Sequence, residues 1–232
     1  MSQPRISVAC LDMAGTTVKD DGTVMAAFSA AVAGFNLPVA EFNTAMKYIK
    51  ATMGQSKIEV FRHILGSEGA AQGANAAFEK HYAAAVGKGE VTAMPGATDL
   101  FAACRSAGIK VCLSTGFSPA TRDAIIDALG WGPLVDLVLS PADAGRGRPW
   151  PDMPLTALLR LGAGSVQELA VAGDTPSDLE SGLRAGAGIV AGVLTGDSAR
   201  AELEAVPSRT GLPGSTLILD SIADLLPHLV HS

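Results

Sequence analysis

An apolar run at Ile6 to Leu11 and a strict alternation of two patterns after residue 92 constrain this chain more than anything else in it. One pattern is the short, unbroken apolar run: Lys110 to Leu113, Leu134 to Leu139, Leu169 to Ala172, Gly188 to Leu194 and Thr216 to Leu219. The other places apolar residues three or four apart, over Thr98 to Ala107, Pro119 to Leu129, Pro154 to Leu161 and Ser177 to Ala185. A strand without polar alternation needs both of its faces covered, and helices following such strands supply the cover. The alternation therefore predicts an α/β fold, a Rossmann-like doubly wound parallel sheet.

One segment breaks the rhythm. Residues from about 24 to 86 hold no convincing strand but four helical stretches, Met25 to Gly34, Glu41 to Ala51, Ser56 to Leu65 and Ala74 to Val86. This predicts a helical cap domain, residues 21–89, inserted after strand one into a core formed by residues 1–20 and 90–232. The polar crossings Lys19-Asp20-Asp21-Gly22 and Gly87-Lys88-Gly89 suit hinges. The apolar content of residues 24 to 50 permits two such caps to pair, so a homodimer through the cap is an expectation.

Composition narrows the function. With 48% hydrophobic residues in 232, the chain can fill a substantial core, yet no apolar run approaches the roughly 18 residues of a membrane helix. The first residues lead into the first strand without a signal-peptide pattern, so a soluble cytoplasmic protein is expected. A net charge of −6 argues against a nucleic-acid binder and leaves room for local cations that face a small anion. The three cysteines lack metal spacing: Cys10 and Cys112 fall in strands and Cys104 on a helix, as buried reduced thiols. His228 and His231 have ligand-like spacing but no Cys or acidic partner nearby, and read as a tail.

Ligands of such sheets bind beyond the carboxyl ends of the strands, and four successive strand ends carry reactive groups. Asp12 follows the first, before Ala14-Gly15-Thr16-Thr17. Ser114-Thr115-Gly116 follows the second, Arg148 lies in the loop after the third, and Gly173-Asp174-Thr175-Pro176-Ser177-Asp178 follows the fourth. A nucleophilic carboxylate, a hydroxyl, a cation and an acidic pair are the requirements of phosphoryl transfer to an aspartate. Mg²⁺ held by Asp12 and Asp174 would offset the charge of nucleophile and substrate. Asp178, one helical turn on, enters the same acidic pocket. Ser114 and backbone N–H groups near Thr115 and Gly116 can hold a phosphoryl oxygen, and Arg148 can neutralise charge developing in the transition state.

In this order these residues resemble the haloacid dehalogenase superfamily, and within it the phosphonoacetaldehyde hydrolase (phosphonatase) branch. Two departures from the wider superfamily are shared with that branch: Ala14 stands where a second, proton-donating aspartate is usual, and Arg148 where a lysine is usual. The resemblance implies Mg²⁺ on Asp12, Asp174 and the Ala14 carbonyl, with Asp178 in the metal set. Thr16, Thr115, Gly116, Met53 and Phe117 are the implied substrate contacts.

Met53-Gly54-Gln55-Ser56-Lys57-Ile58 resembles the cap segment in which a lysine forms a Schiff base with the substrate aldehyde, and Lys57 stands at that lysine's position. The chemistry has its own logic. Attack at phosphorus in a C–P compound expels a carbanion, no ester oxygen is present to protonate, and an iminium two bonds away supplies the electron sink. Condensation needs a neutral amine, and an ordinary lysine, with a pKa of about 10.4, is neutral in only about one molecule in 2,500 at pH 7. The branch has polar residues where this chain has Val60 and Phe117, and a cysteine near Gly22. The expected activity is cleavage of a 2-oxoalkylphosphonate such as phosphonoacetaldehyde. The alternative is a phosphatase acting on a small phosphate ester or acyl phosphate.

Overall fold

The computed structural model describes residues 5–230. Six strands form one parallel sheet in the order β3-β2-β1-β4-β5-β6: β1 (Val8–Asp12), β2 (Lys110–Ser114), β3 (Leu137–Leu139), β4 (Leu169–Gly173), β5 (Ile189–Val193) and β6 (Leu217–Leu219). The chain moves outward from β1 on one side and then returns to build the other. The crevice where that order reverses lies beside β1, and β1 therefore pairs with both β2 and β4.

Alternate strand residues supply two cores. Ala9, Leu11, Val111, Leu113, Ala170 and Ala172 face α5 (Ala97–Ser106) and α6 (Pro119–Leu129). Val8, Cys10, Cys112, Leu139 and Val171 meet α8 (Asp152–Leu161), which follows the short α7 (Pro141–Ala144). On that same side α9 (Pro176–Ala185) joins α10 (Arg200–Glu204) and α11 (Val206–Thr210) through Leu179, Leu183, Leu203 and Val206. All three cysteines are free and buried. His228 belongs to α12 (Leu226–Val230), and His231 lies outside the described residues. No described helix is long and apolar enough to cross a membrane.

Between β1 and α5 the chain forms α1 (Thr23–Ala33), α2 (Val39–Ala51), α3 (Lys57–Leu65) and α4 (Glu68–Gly87). Their interior is aromatic: Phe28 lies 5.2 Å from Phe61 and 4.8 Å from Phe78, and Tyr82 lies 4.6 Å from Phe117 of the sheet side. Through Phe117 this cluster is continuous with one core of the sheet. The two crossings into the insert are clasped together, the Lys19 N–H donating to the Thr92 carbonyl (2.9 Å) and the Met94 N–H to that of Thr17 (2.8 Å). The polar segments expected as hinges thus start just beyond a fixed point.

Two expectations need adjustment. The third strand covers three residues rather than six, because Gly132–Leu134 winds into a 3₁₀ turn and the Asp136 side chain accepts the Val111 N–H (2.9 Å), ending the pairing there. The fourth insert helix starts six residues earlier than Ala74, at Glu68, where the Ser67 hydroxyl accepts the Ala70 N–H.

Candidate active site

Asp12 closes β1 opposite Ser114, which closes β2. After Asp12 the backbone turns sharply, with the N–H groups of Thr16, Thr17 and Val18 all donating to the Met13 carbonyl. Gly15 supplies the positive φ of +85° that this turn needs. The Thr17 hydroxyl donates to the Asp12 carbonyl (2.7 Å), locking the backbone at Asp12. Thr16 serves a different partner from the expected substrate: fully buried, it donates its hydroxyl to Asp174 Oδ1 (3.0 Å).

Below Asp12 lies a buried charge network. Arg148 Nη1 donates to Asp12 Oδ1 (2.6 Å) and to Asp178 Oδ1, and Asp178 Oδ2 accepts both the N–H and the hydroxyl of Thr175. Asp178 is thereby also the third residue of α9, in a capping box with Thr175. Burial opposes the charge on Arg148, but Asp12 and Asp178 outweigh it and hold its pKa above the ordinary arginine value. Arg148 Nη2 is the one buried side-chain nitrogen or oxygen among the described residues without a hydrogen-bond partner.

Carboxylate oxygens of Asp12, Asp174 and Asp178 lie within 4.8 Å of one another, all buried. Asp174 makes no ion pair among the described residues. Burial, then Asp12 and Asp178, push its pKa well above the usual carboxylate range. A Cβ on Gly15 would fall 2.5 Å from the Asp174 carboxylate, so that turn must be glycine to sit against it. Excess buried negative charge with hard oxygen donors fits a divalent cation such as Mg²⁺. Asp12, Ala14 and Asp174 border the open cavity, whereas both Asp178 oxygens are engaged below it. This makes Asp178 an anchor for Arg148 and Thr175.

The cavity over these carboxylates, of about 1020 Å³, is walled on its far side by the insert. Met53 and Gly54 enter it from the segment between α2 and α3, Lys57 from the first turn of α3, and Thr115, Gly116 and Phe117 from the end of β2. Contact between these walls is close. A Cβ on Gly116 would lie 2.3 Å from the Gln55 carbonyl, one on Gly54 2.4 Å from the Thr175 hydroxyl, and the Lys57 N–H donates to the Gly116 carbonyl (3.3 Å). The Thr115 N–H corrects the expected oxygen cradle, because it donates to the Leu139 carbonyl (3.0 Å) within the sheet. Gly116 is the remaining amide at this strand end.

Lys57 is 7% exposed at the start of α3, with Nζ 5.0 Å from the Phe117 ring centre and 5.7 Å from that of Phe28. Its weak polar contact is the Gln55 carbonyl at 3.5 Å. Burial, followed by the charge of Arg148, lowers its pKa to about 8, against the opposing pull of Asp12, Asp20 and Asp178. Val60 is buried in the aromatic core of the insert and does not border the cavity, so only Phe117 of the two replaced positions shapes the wall.

A family profile described as haloacid dehalogenase-like hydrolase matches residues 6–186. The chain belongs to the haloacid dehalogenase-like hydrolases. Within that family it is 29% identical over 167 residues to a phosphonoacetaldehyde hydrolase of Parabacteroides distasonis, a match covering 64% of this chain and 62% of that relative's length. In fold, this hydrolase is similar to a hydrolase from Pseudomonas syringae, with a TM-score of 0.81 and 24% identity over 96% of this chain and 97% of the other. A phosphonoacetaldehyde hydrolase-like protein from Oleispira antarctica follows at a TM-score of 0.77 and 23% identity, covering 98% and 92% of the two chains.

Of the residues expected at this hydrolase's site, Asp12, Ala14, Asp174, Met53, Lys57, Thr115, Gly116 and Phe117 border the cavity. Arg148, Asp178, Ser114 and Thr16 are buried in or against the layer beneath it. Sequence reasoning missed Asp20 on the cavity wall and Tyr82 against Phe117. Asp20 lay in view within a polar crossing, where its charge suggested a hinge. Tyr82, in an alanine-rich helix, carried no local signal.

Proposed function

We propose that this hydrolase cleaves the C–P bond of a 2-oxoalkylphosphonate, phosphonoacetaldehyde being the simplest, through a Schiff base on Lys57 and a phosphoryl group on Asp12. The observation that carries the reading is the buried Lys57 amine, with a pKa lowered to about 8, opening on the same cavity as Asp12. At pH 7 about one molecule in ten then holds a neutral amine, roughly two hundred times the fraction of an ordinary lysine.

The residues divide the work by position. Neutral Lys57 attacks the carbonyl carbon, and Phe28 and Phe117 keep bulk water from the resulting iminium. Asp12, its carboxylate oriented by Arg148 Nη1, attacks phosphorus in line with the C–P bond. The bonding pair of that bond moves into the iminium and leaves an enamine. The Gly116 N–H is a donor for a phosphoryl oxygen as charge redistributes, and Arg148, buried beneath Asp12, supplies fixed positive charge from below. Water then frees phosphate from Asp12, and hydrolysis of the iminium regenerated from the enamine frees the carbonyl product. Mg²⁺ on Asp12, Asp174 and the Ala14 carbonyl would screen the charge between nucleophile and phosphonate. Ala14 supports the reading, since a carbanion departing into an iminium needs no acid at that position.

Trapping tests it directly. Phosphonoacetaldehyde with borohydride is expected to inactivate the protein and add the reduced two-carbon fragment to Lys57, read by peptide mass spectrometry. Phosphate release from small esters with Lys57 unmodified would overturn this reading and establish the phosphatase.

A further inference from the structure

Schiff-base chemistry at Lys57 requires protons at defined moments. The carbinolamine hydroxyl departs only as water, the enamine carbon must gain a proton, and the final hydrolysis needs a base. The carboxylates beneath the phosphorus are committed elsewhere: Asp12 and Asp178 accept from Arg148, and Asp174 accepts from Thr16. No described histidine borders the cavity, and His63 stacks on Tyr48 at 3.9 Å within the insert.

Asp20 does border it, together with Lys57 and Asp12. It stands just past the Val18–Ala93 bridge that clasps the two crossings, and its Oδ1 accepts the Val24 N–H (3.2 Å) at the start of α1. The carboxyl is thus anchored at the junction between core and insert. We propose, on the basis of the C–P reading above, that Asp20 is the proton-transfer residue for the Lys57 Schiff base.

The titratable groups coupled to Asp20 by charge are Lys57 from α3, Tyr82 from α4 and Asp197 from beyond β5. Burial raises its pKa, the Val24 and Thr23 N–H groups oppose this, Asp197 adds to it and Lys57 opposes it, with a net rise. A carboxyl raised from its ordinary value and a lysine lowered to about 8, both on the wall of one cavity, lie closer in pKa than the free side chains do, which favours proton exchange near neutral pH. Tyr82 is pushed the other way from use: burial, then Asp20 and Asp12, hold its phenol protonated.

The steps balance. Lys57 Nζ bonds to the carbonyl carbon, and its displaced proton moves to the former carbonyl oxygen. The Asp20 carboxyl protonates that hydroxyl, water leaves, and iminium and Asp20 carboxylate remain. After phosphoryl transfer to Asp12, Asp20 takes a proton from solvent and delivers it to the enamine carbon. Water adding to the new iminium returns a proton to Asp20, and C–N cleavage releases the carbonyl product and Lys57.

Asp20→Asn keeps an oxygen for the Val24 N–H and removes only the titration. With phosphonoacetaldehyde, kcat is expected to fall about 10²- to 10⁴-fold, KM to stay within about threefold, and borohydride capture of Lys57 to slow. Asp20→Glu is expected to recover part of the rate with a displaced pH profile. Asp21→Asn, at a carboxylate 72% exposed and paired with Lys19, is the unchanged control. If Asp20→Asn retains kcat and pH profile, Asp20 is only a cap on α1 and the proposal fails. If Asp20→Asn does not fold, a Glu variant with the wild-type pH profile refutes it equally. Wild-type protein that neither releases phosphate from any 2-oxoalkylphosphonate nor is captured at Lys57 overturns the C–P reading itself, before a variant is made.

Discussion

The floor and the roof of the cavity solve opposite electrostatic problems. The floor gathers three buried carboxylates around one guanidinium, so each charge except that of Asp174 has a partner and every group is held by strand ends and a helix cap. The roof buries a single amine among aromatic rings with one weak hydrogen bond. A floor of paired ions can hold its charges constant through a reaction in the cavity above it. A roof that withholds partners makes its cation give up a proton. One site thus combines a carboxylate held in place with a lysine poised for neutrality.

Removing either reactive atom breaks the pair apart most strongly. Asp12→Asn is expected to cut phosphate release by about 10⁴-fold or more while borohydride still captures Lys57. Lys57→Met is expected to lose C–P cleavage to the same extent while inorganic phosphate and vanadate still bind. Chelation of divalent cations should imitate the first result, with phosphate release lost and Lys57 capture kept. Loss of both readouts in any of these experiments would mean that floor and roof do not act separately.

Stability should separate them with opposite signs. Arg148→Met strands Asp12 and Asp178 as buried carboxylates, and a loss of about 3 to 5 kcal/mol is expected in denaturant titration. Lys57→Met replaces an unpaired buried cation with an apolar chain of similar length and is expected to raise Tm. The sign follows from linkage. The folded pKa of about 8 lies below the unfolded value of 10.5, so below about pH 8 the folded state bears the cost of the charge, and between pH 8 and 10.5 that cost disappears. The gain from Lys57→Met should therefore be greatest below pH 8 and vanish toward pH 10.5. A lower Tm at pH 7 would contradict the account of the roof.

The floor was the legible half, for a physical reason. Its residues sit at the ends of parallel strands, where an unbroken apolar run marks the strand and the first polar residue marks the ligand side, as at Leu11-Asp12 and Leu113-Ser114. What sequence could not supply there was which hydrogen bonds were already taken. The Thr115 N–H belongs to Leu139, and the Thr16 hydroxyl to Asp174. The roof depends on how four helices pack onto the sheet, and helical periodicity assigns a residue to the buried side without saying whether that side is core or cavity. Val60 and Lys57, three residues apart in α3, illustrate the limit: both are buried, one in the aromatic core and the other on the cavity wall. Lys57 was found through a resemblance, and Asp20 needed the coordinates.

The amine should also govern the pH dependence of the reaction itself. With a Lys57 pKa of about 8, the neutral fraction rises about tenfold per unit below that point and levels above it. Thus kcat/KM for phosphonoacetaldehyde is expected to climb from pH 6 to 8 and then flatten, while vanadate affinity, a property of the floor, should not follow that curve. A flat C–P profile over the same range would detach the rate from the amine.

Gly116→Ala should produce the smallest effect and the most local one. Gly116 has no positive φ, so the added methyl meets no backbone strain, but it meets the Gln55 carbonyl 2.3 Å away and the Gly54 carbonyl oxygen 3.0 Å away. Because these neighbours are backbone, the segment from Gly54 to Lys57 must move back, and the Lys57 N–H bond to the Gly116 carbonyl must lengthen with it. The three atoms nearest that methyl all belong to the backbone of Gly54 and Gln55, so Asp12 and Arg148 are expected to keep their geometry. A fall of roughly tenfold in kcat/KM for phosphonoacetaldehyde and slower capture of Lys57 are expected, with vanadate affinity within about twofold of wild type. If vanadate binding weakens as much as C–P cleavage, the contact at Gly116 supports the whole site rather than the position of the roof, because only a shift transmitted through β2 could reach both.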